Sequence, residues 1–100
     1  MNIQVLYFQG CPNHVPTVAL VRDVVSQLGL TAEIEEIEVT SPGAVQRLRF
    51  LGSPSVRVNG IDIDPDASSR TDYSESCRMY NGAGVPPREY LVTACQAAQS

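Results

Sequence analysis

The chain contains neither lysine nor tryptophan, so every basic residue is an arginine. Basic residues number 7 against 11 acidic ones, and the formal net charge of -4 excludes a basic nucleic-acid footprint. No apolar run approaches the roughly 20 residues needed to span a bilayer, and the first residues lack the charged and apolar regions of a signal peptide. We therefore expect a cytoplasmic protein that contacts neither nucleic acid nor membrane.

Cysteine is scarce, and its three positions are far apart: Cys11, Cys77 and Cys95. An odd number at wide spacing is not a secreted disulfide framework and leaves at least one thiol unpaired. A chain of 100 residues buries enough surface for one core without such crosslinks. We expect a single domain over residues 1–100, in which the cysteines have a role other than crosslinking.

Apolar periodicity and turn residues predict alternating strands and helices. The predicted strands are 3–8, 32–39, 55–58 and 61–63, and the predicted helices are 15–28, 42–51 and a last one opened by Pro86 and Pro87. Asn59-Gly60 between two alternating runs predicts a hairpin with a type I′ turn. A strand-helix-strand unit requires a parallel pair with a right-handed crossover. The expected fold class is therefore α/β: a thioredoxin-like, four-stranded mixed sheet (β-α-β-α-β-β-α) with helices on both faces.

Local signals also predict where these elements begin, end and face solvent. Ser41 can cap the second helix, Pro42 suits its first turn, and Gly52 is expected to end it. The second strand carries glutamates 33, 35, 36 and 38, so we expect it at an edge or with a bulge, wet on one side. Cys95 lies on the apolar face of the last helix and is assigned to the core. Tyr80 and Tyr90 are interpreted as packing aromatics.

Cys11 lies between the first strand and the first helix, where reactive groups gather in α/β sheets. Unpaired N–H groups and the positive end of the helix dipole favour the thiolate there, which is both a nucleophile and a metal ligand. Pro16 has no N–H and fits the first turn, which suggests Asn13 as the cap. Cys11 then lies two residues upstream, where the dipole acts more weakly.

Three blocks of the chain carry a family resemblance. They are residues 7–13 (YFQGCPN), 50–62 (FLGSPSVRVNGID) and 77–80 (CRMY). In this order they resemble a family of small bacterial thioredoxin-like proteins, often labelled alkylmercury lyase or thioredoxin family protein. The likeness covers nearly the whole chain. It implies that Ser53-Pro54 is the cis-proline turn that faces the reactive cysteine Cys11.

The chain departs from the redox members of this fold at two places. The second cysteine of redox-active thioredoxins is replaced by His14, so a local dithiol is excluded. The Gly-Gly-x-x-Asp run that would hold glutathione is replaced by residues 61–65, which argues against glutathione use. The sequence contains no close cysteine pair with an acidic partner, so the residues do not support carbon-mercury cleavage.

Two functions fit these residues, with a non-catalytic thioredoxin-like domain behind them. In the first, a thiol-disulfide or peroxide-responsive redox protein, Cys11 attacks and Cys77 resolves by forming a disulfide across the site, without a cofactor. Its partner would be an unidentified thiol or disulfide. In the second, Cys11 and Cys77, with His14 as a third ligand, bind a soft metal ion such as Hg(II), Cu(I) or Zn. Arg78 beside Cys77 would favour its thiolate. The expected binding residues are Pro12, His14, Ser53, Pro54 and Arg78. The protein is at most a thiol-disulfide oxidoreductase.

Overall fold

The structure, a computed structural model, describes residues 1–80 and 82–99, and its elements follow the predicted order. The strands are β1 (Asn2–Tyr7), β2 (Glu33–Glu38), β3 (Ser55–Val58) and β4 (Ile61–Asp62). The helices are α1 (His14–Gln27), α2 (Pro42–Leu48) and α3 (Arg88–Gln99), with a short 3-10 turn at Ala67–Ser69. The α/β class and the seven predicted elements are confirmed, with ends that differ by a few residues.

The four strands form one mixed sheet in the order β2-β1-β3-β4. The central strand β1 pairs in parallel with β2 and antiparallel with β3, as predicted. Strand β2 lies at the edge, and its four glutamates are exposed. An edge strand has one unpaired side, so these carboxylates keep it wet and discourage pairing with another chain.

The β3–β4 hairpin confirms the Asn-Gly prediction. Val58 and Ile61 are paired, so only Asn59 and Gly60 form the turn. Their φ angles are 50° and 83°, both positive, as a type I′ turn requires.

Helix α2 begins as predicted but ends early. The Ser41 hydroxyl accepts the Ala44 N–H at 3.1 Å, and Pro42 lies in the first turn. The prediction that Gly52 ends this helix is wrong: the last helical residue is Leu48, and Arg49 turns the chain at φ 53°. Phe50 follows with no exposed surface, because leaving the helix there lets its ring enter the core.

Apolar side chains pack on both faces of the sheet. On one face, Ile3 and Val5 of β1 belong to a cluster that includes residues of α1 and α3. Leu6 belongs to a second cluster with residues of α2 and with Phe50. Helices therefore cover both faces, as predicted. None of the described helices has the length and apolar composition needed to cross a bilayer.

Candidate functional site

Cys11 lies in the turn that joins β1 to α1. Its N–H donates to the Phe8 carbonyl at 3.2 Å, and its own carbonyl accepts the His14 N–H at 3.3 Å. Asn13 flanks the helix start and accepts the Thr17 N–H, although its side chain makes no capping bond. The predicted position of Cys11, two residues upstream of the cap, is confirmed. Its residue surface is only 8% exposed, so solvent reaches little of it.

Ser53 and Pro54 form the turn that leads into β3, and the bond between them is cis, as the resemblance implied. Both residues are buried. The Ser53 hydroxyl accepts the Phe8 N–H at 3.4 Å. Phe8 is also the residue whose carbonyl holds the Cys11 N–H. Phe8 therefore links the Ser53 turn to the turn that carries Cys11 through one hydrogen bond to each.

Residues 76–80, which we call the strap, place Cys77 beside Ser53. The Ser53 N–H donates to the Ser76 carbonyl at 2.8 Å, and the Ser53 carbonyl accepts the Arg78 N–H at 2.9 Å. These two bonds pair Cys77 with Ser53 as a parallel bridge. Cys77 is exposed. Residues that follow the predicted loop thus fold back beside the Pro54 turn.

Arg78 fixes the strap to strands β3 and β4. Its guanidinium is almost fully buried and donates to both carboxylate oxygens of Asp62, at 2.8 and 3.0 Å. It also donates to the Ser55 hydroxyl at 3.0 Å and lies 3.5 Å from an Asp64 oxygen. Burial alone would lower the pKa of Arg78, but the hydrogen bonds and charge of Asp62, with the other acidic neighbours, raise it overall. Sequence reasoning did not identify Asp62 as the partner of this arginine.

Tyr80 holds the other end of the strap. Its hydroxyl donates to the Pro54 carbonyl at 2.6 Å, and the Arg78 guanidinium lies 4.7 Å from its ring centroid. Burial raises the pKa of Tyr80, which keeps the hydroxyl protonated as a donor. The packing role assigned to this residue is confirmed, but its bond to Pro54 was not expected. Exposed Cys77 and Met79 alternate with buried Arg78 and Tyr80, as in a strand, but a buried arginine beside an exposed methionine hides this alternation in the sequence.

The chain beyond the strap returns to the β1–α1 turn. A Cβ atom at Gly84 would overlap the side chain of Asn13, so these two residues are in direct contact. Asn13 lies only two residues from Cys11. The segment that follows Cys77 is therefore held against the turn that precedes α1.

His14 faces the edge strand. Its ring is stacked on Tyr7, with 3.6 Å between ring centroids and 7° between planes. Its Nε2 lies 2.6 Å from a carboxylate oxygen of Glu36. The histidine therefore already has two partners, and neither of them is a cysteine. Pro12, the remaining predicted binding residue of this turn, is exposed.

The three thiols are free, with Cys11 and Cys95 buried and Cys77 exposed. Burial raises the pKa of Cys95 in the core. Within residues 1–80 and 82–99, no three histidine, cysteine or acidic side chains come together as a metal-binding group. The site thus holds an exposed thiol beside Ser53 and a buried thiol in the turn whose Phe8 is hydrogen-bonded to Ser53. Comparisons of this chain with protein-family models, with curated proteins and with solved structures found no match.

Proposed function

We propose that this chain is a thioredoxin-like thiol protein in which Cys11 and Cys77 form a reversible disulfide. The order of its elements and of its strands supports the thioredoxin-like assignment. The three blocks that resemble the small bacterial thioredoxin-like family include both cysteines and the Ser53-Pro54 turn. The proposal includes a cytoplasmic location, where cellular reductants return such disulfides to thiols.

The observation that carries the proposal is that Ser53 is hydrogen-bonded both to the strap and to Phe8, the residue that holds the Cys11 N–H. The Ser53 backbone pairs with Cys77, and its hydroxyl bonds the Phe8 peptide group that precedes the Cys11 turn. A disulfide needs Cα atoms within about 7 Å of each other. Because Ser53 is hydrogen-bonded both to the strap and to Phe8, we expect backbone movements to bring the two Cα atoms within that limit on oxidation.

Exposure suggests an order of events different from the one predicted from sequence. Sequence reasoning made Cys11 the attacking thiol, but Cys77 is the exposed one. Attack on a protein-sized disulfide requires an accessible sulfur. We therefore assign the first encounter to Cys77 and the second step to Cys11.

The reaction consumes one disulfide of the partner and produces two partner thiols. The Cys77 thiolate attacks one partner sulfur, which forms a mixed disulfide and releases the other partner sulfur as a thiolate. The Cys11 thiolate then attacks the Cys77 sulfur, which closes the Cys11–Cys77 bond and releases the second partner sulfur. The protons lost by the two cysteines are taken up by the partner thiolates. A dithiol reductant reverses the oxidation for the next cycle.

The proposal is tested by oxidising the protein with a small disulfide and mapping its crosslinks by peptide mass spectrometry under non-reducing conditions. We expect one intramolecular bond between Cys11 and Cys77, absent from Cys11→Ser and from Cys77→Ser. Cys95→Ala should retain the bond because Cys95 lies in the core. In the presence of a disulfide peptide, Cys11→Ser should accumulate a mixed disulfide at Cys77.

Two results would contradict the proposal. Crosslinks that form only between molecules would show that the two thiols do not meet within one chain. A mixed disulfide that accumulates on Cys77→Ser and not on Cys11→Ser would restore Cys11 as the attacking residue and reverse the assigned order.

A further inference from the structure

A cleft of about 390 Å³ opens between the end of α2, the β3–β4 hairpin and the loop that follows it. Ligand pockets for small molecules have volumes of about 300–1,000 Å³, so this cleft falls within their range. Arg49, Arg57, Arg70, Ile61 and Tyr73 are among its lining residues. We call it the arginine cleft. It is separate from the cysteines, and neither Cys11 nor Cys77 lines it.

Three of the 7 basic residues of an acidic chain line this one cleft. The two carboxylates that also line it, Asp62 and Asp64, contact the buried guanidinium of Arg78. Arg70 is paired with Asp72 at 2.7 Å. Among the described residues, Arg49 and Arg57 form no salt bridge, and the four guanidiniums of the cleft and its ion pairs face three carboxylates, which leaves one net positive charge.

Arg57 is held in place without a carboxylate. Its Nη2 donates to the Leu48 carbonyl at 2.5 Å and to the Arg49 carbonyl at 3.2 Å. Burial lowers the pKa of Arg57, and the charge of Asp62 only partly offsets this. A guanidinium nevertheless remains charged at neutral pH. A partly desolvated cation that is fixed by two backbone carbonyls is arranged for an anion that would complete its partners.

Most of the remaining wall is apolar. Leu48, Leu51 and Tyr73 contribute to it, and Ile61 at the hairpin is 73% exposed although it is a large aliphatic residue. An exposed isoleucine beside unpaired arginines provides a surface for the apolar part of a charged ligand.

We propose that the arginine cleft binds a small organic anion, with a carboxylate or phosphate group against Arg49 and Arg57 and an apolar body against Ile61 and Tyr73. Arginine suits both head groups because its planar fork donates two parallel hydrogen bonds to either.

The proposal is tested by an NMR titration of the isotope-labelled protein with four compounds. They are 4-phenylbutyrate, phenyl phosphate, inorganic phosphate and the neutral amide 4-phenylbutyramide. We expect saturable amide shifts around the cleft with the first two compounds, and binding at least tenfold weaker for the neutral amide. Raising the salt concentration should weaken the binding of both acids because their charges become screened. The acid that binds more tightly identifies the head group.

Variants locate the site. Arg49→Asn should weaken binding about fivefold or more without unfolding the chain, because asparagine tolerates the positive φ of this residue. Arg47→Gln is the matched control, since Arg47 is exposed in the last turn of α2, two residues before Arg49, but does not line the cleft. Equal binding by these two variants would overturn the proposal. So would an amide that binds as tightly as the acid, or inorganic phosphate that binds as tightly as phenyl phosphate.

Discussion

Arg78 connects three segments that are separated along the chain. It belongs to the strap, and its guanidinium donates to Ser55 in β3 and to Asp62 in β4. Removal of one partner from a buried ion pair leaves an uncompensated charge, which costs far more than the loss of an exposed pair. Arg78 is therefore the side chain on which the position of Cys77 depends.

We predict that Arg78→Met lowers the free energy of unfolding by about 3 kcal/mol, because the partly buried carboxylate of Asp62 loses its partner. Urea unfolding followed by circular dichroism measures the change. Arg88→Met is the matched control: it breaks the exposed ion pair with Asp23 and should cost less than about 1 kcal/mol. Similar losses for the two variants would contradict the anchoring role of Arg78.

At the scale of elements, the strap is a strand of minimal length that needs a glycine beside it. Gly52 has a φ of 113°, and a Cβ atom there would lie 2.9 Å from the Ser76 carbonyl oxygen and 3.2 Å from the Arg78 Cβ. Backbone can approach this closely only where the neighbour has no side chain. The glycine that was expected to end α2 therefore serves to admit the strap.

We predict that Gly52→Ala destabilises the protein by about 1–3 kcal/mol more than Gly29→Ala does. Both glycines have positive φ, but a Cβ atom at Gly29 would meet open space. The difference in urea unfolding reports the close approach together with the wider φ of Gly52, 113° against 65° at Gly29. Hydrogen exchange should also become faster at the Arg78 amide, which donates to Ser53. Equal destabilisation of the two variants would show that the strap tolerates a side chain at position 52.

At the scale of the whole molecule, the proposed disulfide would join two ends of a long stretch of chain. Residues 11 and 77 enclose α1, β2, α2 and the β3–β4 hairpin. A crosslink across a long loop reduces the conformational entropy of the unfolded state more than one across a short loop. Oxidation would therefore change the stability of the entire fold as well as the chemistry of the site.

We predict that the oxidised protein is more stable than the reduced one by up to about 4 kcal/mol, the loop-entropy value for a loop of this length. Urea unfolding with and without reductant measures the difference. Cys11→Ser should unfold identically under both conditions. An oxidised protein that is less stable than the reduced one would contradict this prediction and show that the bond distorts the native backbone.

Local signals in the sequence determined most of the elements. The Asn59-Gly60 turn, the Ser41 cap and the apolar spacing of the helices act through residues only a few positions apart, so their outcome can be read from the chain alone. The placement of Cys11 before α1 follows from the same kind of signal.

Long-range packing sets which residues surround the thiols. Arg78 meets Asp62 across 16 positions, and Tyr80 meets Pro54 across 26, and no local pattern specifies either contact. The early end of α2 likewise depends on a core that receives Phe50. The exposure of Cys77 also depends on how the strap lies against the Ser53 turn, which is distant along the chain.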